Sequence, residues 1–170
     1  YIISGYFESN SIDLGNEKTL NISTGHRILK YNAEGELEWT QSIGGNKYDN
    51  ITSIAETMEK GYIIGGYFNV SSYISYEGGK QLSNKGGIDG MLIKYNAEEE
   101  VEWAKVISLS EKDRDTEVVS VSETTDGGYI VSAIFEYGIE SYRGMIIKYD
   151  SKGDVEWQHT IGENNSNTYR

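Results

Sequence analysis

The sequence predicts an all-β protein assembled from repeated four-stranded antiparallel meanders. A ten-residue phrase occurs three times, as Lys30-Tyr-Asn-Ala-Glu-Gly-Glu-Leu-Glu-Trp39, Lys94-Tyr-Asn-Ala-Glu-Glu-Glu-Val-Glu-Trp103 and Lys148-Tyr-Asp-Ser-Lys-Gly-Asp-Val-Glu-Trp157. The copies start far enough apart for one multistranded unit per repeat. A second phrase recurs as Tyr1-Ile-Ile-Ser-Gly-Tyr-Phe7, Tyr62-Ile-Ile-Gly-Gly-Tyr-Phe68 and Tyr129-Ile-Val-Ser-Ala-Ile-Phe135. Such β-branched and aromatic runs, bounded by Gly and polar residues, are strands that a sheet buries. Proline is absent from the chain, which suits ladders whose every strand must donate hydrogen bonds.

Within a unit, strand a is Ile51-Thr-Ser-Ile-Ala-Glu-Thr57, matched by Val118-Val-Ser-Val-Ser-Glu-Thr124, and strand b starts at Tyr62 or Tyr129. Asp126-Gly127 between them predicts a tight primed hairpin turn, because such turns need positive φ and Asp or Gly tolerates it best. Strand c is Met91 to Tyr95 and strand d runs on from Val101-Glu-Trp103. Asn96 to Glu99 connects the two, with Glu99 where the other copies carry Gly35 and Gly153. The b–c connections are longer. Tyr73 to Tyr76 and Gln81-Leu82 around Gly78-Gly79 form a small extra hairpin, and Ser11 to Leu14 with Thr19-Leu20 its counterpart. The units fall at approximately 1–44 (strands b to d), 45–108 and 109–161 (a to d), and 162–170 begins another.

Adjacent apolar pairs, Ile63-Ile64 and Leu92-Ile93, require cover on both faces of the sheet. Units stacked face to face supply it, and radial stacking makes a β-propeller of about four to eight blades. The expectation is therefore about three consecutive blades of a larger or oligomeric ring. Closure is expected from further chain or from a second copy, and the opening Tyr1-Ile-Ile-Ser reads as the start of a piece cut from something longer.

Gly-Gly-Tyr-Ile-Val at Gly127, the phrase ending at Trp157, and Ser-Val-x-Glu-Thr-x-Asp-Gly-Gly at Ser120 together resemble the β-propeller repeats of large secreted and surface proteins of bacteria. The resemblance covers essentially the whole chain and implies an extracellular or cell-surface location. It implies little about activity, because the residues shared in that family are structural. More distantly, Asp150-x-x-Gly153-x-x-x-Trp157 resembles the tryptophan-docking motif of quinoprotein-type propellers. There Asn32 and Asn96 depart from the Asp, Glu99 departs from the Gly, and no residues match a quinone site. The docking role carries over to Trp39, Trp103 and Trp157, and the cofactor does not.

A formal net charge of −12, spread along the chain, argues against nucleic acid or an anionic membrane as partner. The chain has no cysteine, which removes disulfides, thiolate metal sites and a cysteine nucleophile. No apolar run approaches the roughly 18 residues of a membrane span.

Trp39, Trp103 and Trp157 hold the same place early in strand d, which suits a structural wedge between neighbouring sheets better than a sugar-stacking platform. Each indole is expected to be largely covered. His26 and His159 would be the first candidates for acid–base chemistry, but neither recurs in the repeat, and both read as surface residues. Glu111, Asp113, Asp115 and Glu117 alternate, and Asp113, Asp115 and Glu117 could present hard oxygens to calcium. The pattern does not recur in the other units and Lys112 and Arg114 offset its charge, so a solvated acidic turn is the stronger reading and no cofactor is expected. Gly78-Gly79 and Gly86-Gly87 lack the spacing of a phosphate loop.

In a meander the a–b and c–d turns share one end, and the b–c and d–a loops share the other. The latter vary between units, and variable loops on a rigid scaffold are the usual seat of binding. Tyr48, Tyr73, Tyr76, Tyr137 and Tyr142 fall there, each suited to amphipathic contact and equally to packing its own hairpin. The function read from this is a non-catalytic scaffold binding protein or glycan. The alternative is a propeller hydrolase or lyase whose carboxylates converge in a central funnel.

Overall fold

The computed structural model of the protein describes residues 1–9, 11–13, 19–21, 25–44, 49–69, 73–76, 80–108, 115–136 and 142–162. The regular structure among them is entirely β. In chain order the strands are β1 (Ile2–Phe7), β2 (Ser11–Asp13), β3 (Thr19–Asn21), β4 (Gly25–Tyr31), β5 (Leu37–Ile43), β6 (Asn50–Glu56), β7 (Tyr62–Asn69), β8 (Tyr73–Tyr76), β9 (Lys80–Ser83), β10 (Ile88–Tyr95), β11 (Val101–Ile107), β12 (Thr116–Glu123), β13 (Tyr129–Glu136), β14 (Tyr142–Tyr149) and β15 (Val155–Ile161). They form a first sheet β1-β4-β5, a second sheet β6-β7-β10-β11, a third sheet β12-β13-β14-β15, and the two small hairpins β2–β3 and β8–β9. Pairing is antiparallel throughout, between strands that follow one another within each unit. The expected strands a to d are thus β6, β7, β10 and β11 in the second sheet and β12 to β15 in the third. The first sheet has b to d.

The adjacent apolar pairs do what the pleat requires of them, because successive side chains leave a strand on opposite faces. Ile64, Phe68, Met91 and Ile93 pack with Ile28 and Ile43 of the first sheet. Ile63 and Leu92 pack with Val118, Val131 and Ile147 of the third. The second sheet is therefore sandwiched, and the core consists of two seams. Ile63, Ile64, Leu92 and Ile93 are all at 0% exposure, and full burial of an aliphatic side chain is worth roughly 1.5–3 kcal/mol.

Two irregularities recur in register. Strand a carries a bulge at Thr52 and again at Val119. The c–d ladder shifts after each Lys–Trp pair, Lys30 with Trp39, Lys94 with Trp103 and Lys148 with Trp157. The a–b turn differs from the primed turn expected at Asp126-Gly127. Gly127 N–H donates to Thr124 C=O at 2.9 Å, Thr124 N–H donates to Gly128 C=O at 2.8 Å, and Gly127 alone in the turn has a left-handed φ, 79°. This is a three-residue loop ending in a left-handed glycine. The Asp126 carboxylate braces it by accepting from the Thr124 hydroxyl and from Gly128 N–H, and the Thr57–Gly61 turn closes with the same two backbone bonds. Lys60, Gly35, Glu99 and Gly153 hold the same left-handed place in the other turns, with φ of 66°, 79°, 69° and 78°.

Candidate functional site

The phrases that repeat are spent in the seams. At the a-strand edge of the second seam, the bulge lifts Thr52 out of the ladder. Its hydroxyl donates to Val118 C=O at 2.6 Å, with Gly65 C=O of its own sheet at 3.2 Å. Ser53 Oγ accepts from Val121 N–H at 3.1 Å. Backbone and side chain of neighbouring sheets are thus within hydrogen-bond reach along strand a. At the d-strand edge the same sheets are held apart by an indole. Trp103 lies edge-on to Tyr129 at 5.6 Å, and its Nε1–H donates to Ser151 C=O at 3.3 Å. In the first seam Trp39 lies 5.5 Å from Tyr62 and 6.0 Å from Tyr95, which stack on each other at 4.9 Å. Burial raises the pKa of Tyr62 and Tyr129, and pushes that of Tyr149 up to about 12, so these phenols stay neutral.

The three tryptophans of the repeated phrase differ in how far they are covered. Trp39 and Trp103 are half-buried. Trp157 departs from the expectation. It is 42% exposed, beside His159 at 5.1 Å, because its face of the third sheet has no sheet packed against it among the described residues. Sequence reasoning missed the lysine that opens each phrase. Lys94 is buried, donating to Tyr95 C=O at 2.8 Å and pairing with Glu102 at 2.7 Å. Lys148 does the same with Tyr149 C=O and Glu156, and also holds Asp126 at 3.1 Å. Desolvation opposes the charge on Lys148, but the hydrogen bonds to Glu156 and Asp126 outweigh it and raise its pKa. The signal was available, since a Lys facing a Trp across every c–d ladder needs a fixed counterion.

At the b–c/d–a end the loops are cross-braced. Asp115 Oδ1 accepts from Ile88 N–H at 2.7 Å, joining the third sheet to the second. Asn84 Nδ2 donates to Phe68 C=O and Gly87 C=O, each at 3.1 Å, and Asp89 Oδ2 accepts from Lys85 N–H. Asp49 and Asp89 are 3% and 0% exposed and flank Phe68 on the sheet face that meets the first seam. His26 is a correction to the surface reading. It is only 7% exposed, meets the Tyr6 ring at 4.9 Å with the planes tilted by 52°, and has its pKa lowered by burial, which the Asp49 backbone partly offsets. The Tyr6–His26 pair was not singled out, because neither ring recurs at its position in all three units.

The tyrosine candidates are scattered rather than assembled. Tyr142 stands at the start of β14, 62% exposed. Tyr76 is half-buried and packs against the first-seam core. Tyr73 is placed in β8 by its backbone alone, and Tyr48 and Tyr137 lie outside the described residues. Of the calcium candidates, Asp113 lies outside the described residues, Asp115 is the brace to Ile88, and Glu117 is half-buried in β12. Glu117 has its pKa raised, first by burial and then by Asp115. Among the described residues no three His, Asp or Glu side chains gather as a metal-binding group.

Comparison with known proteins gives no assignment: no family model and no curated protein matches this sequence.

Proposed function

We propose that the chain is a non-catalytic β-propeller repeat module of a secreted or cell-surface bacterial protein, a scaffold that binds protein or glycan through its b–c/d–a loop end. The observation that carries the propeller reading is the unequal seam. Sheets joined by the Thr52–Val118 hydrogen bond at 2.6 Å along strand a and propped by an indole along strand d stack as wedges. Wedges turn about an axis lying beside strand a. The scaffold reading follows from where the repeated residues go, which is into seams and turns. The hairpins β2–β3 and β8–β9 instead occupy the b–c connections of the first two units with strands of different length, and the exposed Tyr142 stands at the b–c end of the third.

An enzyme of this architecture would need accessible acids at the loop end. Asp49 and Asp89 are buried, and Asp89 accepts from Lys85 N–H of its own loop. The binding reading is tested by titrating the chain with a panel of polysaccharides and surface proteins. Binding weakened about tenfold or more by Tyr142→Ser, and unchanged by Glu34→Ala at the opposite end, is expected of a loop-end aromatic contact. The reverse pattern would place recognition on the turn end and overturn the proposal.

A further inference from the structure

The two internal seams differ at one position of strand c, close to the loop end. In the second sheet that position is Gly90, and a Cβ built there would stand 3.1 Å from Val118 and 3.3 Å from Ile107, so the second seam leaves no room for a ring. The third sheet has glycine again, Gly144, but the first has His26. Its imidazole lies inside the first seam. It stands opposite Ile43 in the ladder, is 7% exposed, meets the Tyr6 ring and is hydrogen-bonded to the Asp49 backbone. Asp49 directly precedes β6, so this bond crosses from the first sheet to the second.

We propose that His26 is an acid-operated latch between these two sheets: as the neutral imidazole it closes the loop end of the first seam, and on taking up a proton it leaves the seam and uncovers Phe68. Burial and charge are opposed here. A neutral ring needs one donor satisfied, whereas a buried imidazolium carries two N–H donors and a charge that the seam must solvate. Among the described residues, the titratable groups that face it are Tyr6 from β1 and Asp49 from the segment before β6. Ile43 of β5 brings no charge, Asp89 of β10 lies beyond Phe68, and Arg27, next along β4, leaves on the opposite face. The Asp49 carboxylate attracts the proton, but burial outweighs it and the folded pKa is lowered. A group depressed in this way holds the seam fully above its unfolded value of 6.5, and the hold is lost as pH falls from there through the folded value. The latch needs neither propeller closure nor a loop-end ligand.

The test is an NMR titration of the 170-residue chain, folded and in urea, with amide hydrogen exchange followed across the same pH range. The spectrum of His26→Gln, which keeps a donor but has no proton to gain, identifies the His26 ring signal. In the folded chain His26 should take up its proton at lower pH than in urea. Ile51 and Phe68 should lose protection on acidification, after correction for the intrinsic exchange rate, while Val118 and Val131 of the second seam keep theirs. The loss should reach a factor of about ten for each pH unit that separates the two titrations, and should vanish in His26→Gln. A His26 that titrates at or above its pH in urea overturns the latch, because Asp49 would then be holding the charge in the seam. Equal losses in both seams, or a loss that survives in His26→Gln, overturn it as well. Titration and exchange are both read on the wild-type chain, so they decide the matter even if His26→Gln does not fold.

Discussion

The two seams carry the same aromatic wedge in different poses, and one turn residue separates them. In the second seam the turn supplies Gly153, and a Cβ built there would stand 2.9 Å from Trp103 Cδ2. The indole can lie over that turn only because the position is glycine, which also accepts the left-handed φ of 78°. In the first seam the turn supplies Glu99. There Trp39 meets the Tyr62–Tyr95 stack. Glu99 holds a left-handed φ of 69°, and its carboxylate reaches Lys30 of the first sheet at 3.0 Å. A repeat thus tolerates either a glycine that the wedge covers or a charged residue that bridges the seam. The seams differ at strand a as well, since the Thr52 and Ser53 clasp joins strand a of the second sheet to strand a of the third, and the first sheet has no strand a among the described residues.

The sharpest way to break the symmetry is to exchange the turn chemistry. Gly153→Ala should cost about 2 kcal/mol or more, from left-handed strain plus the clash with Trp103. Glu99→Gly should be neutral within about 0.5 kcal/mol, because relief of strain offsets the lost ion pair and the greater chain entropy of glycine. Urea unfolding of both variants gives the comparison, and equal losses would show that the pose of the indole does not depend on the turn. Next in size, Thr52→Val should cost about 1 kcal/mol by removing the donor to Val118 C=O, measured in the same way. Trp emission should stay unshifted if the clasp and the wedge act independently.

The smallest expected effect is on the acid side. Hydrogen bonds to Asp126 from the Thr124 hydroxyl, then from Gly128 N–H and from the Lys148 ammonium, hold its carboxyl well below the ordinary carboxylate range. Its folded pKa is depressed, so its contribution is complete above that range and is lost as pH falls below it. Asp126→Asn should therefore flatten the acid limb of stability and lower it at neutral pH. The carboxylate is solvent-exposed, so the change is modest. An acid limb identical to wild type would remove this turn from the account.

The strands and hairpins were legible because phrases repeat and because adjacent apolar pairs demand cover on both faces. Tyr62-Ile63-Ile64 and Met91-Leu92-Ile93 state that requirement in the sequence itself. What was not legible depends on contacts between units. His26 looked like a surface residue because its repeat positions hold glycine, yet it is buried at an edge where Tyr6 and Asp49 meet it. The turn at Asp126-Gly127 was misread because the dipeptide suits two loops, and the ladder register that closes Thr124 on Gly128, as it closes Thr57 on Gly61, leaves three residues between the strands. Asp115 could be seen as a charge but not as the brace of Ile88, and Tyr76 as a loop aromatic but not as core.

Every ladder in the second and third sheets is made from one unbroken stretch of chain. A cut between β11 and β12 would sever no strand pairing, and a unit inserted or removed there would leave every surviving register as it was. Heredity can therefore lengthen or shorten such an array by whole units through simple duplication or deletion, without inventing any new fold.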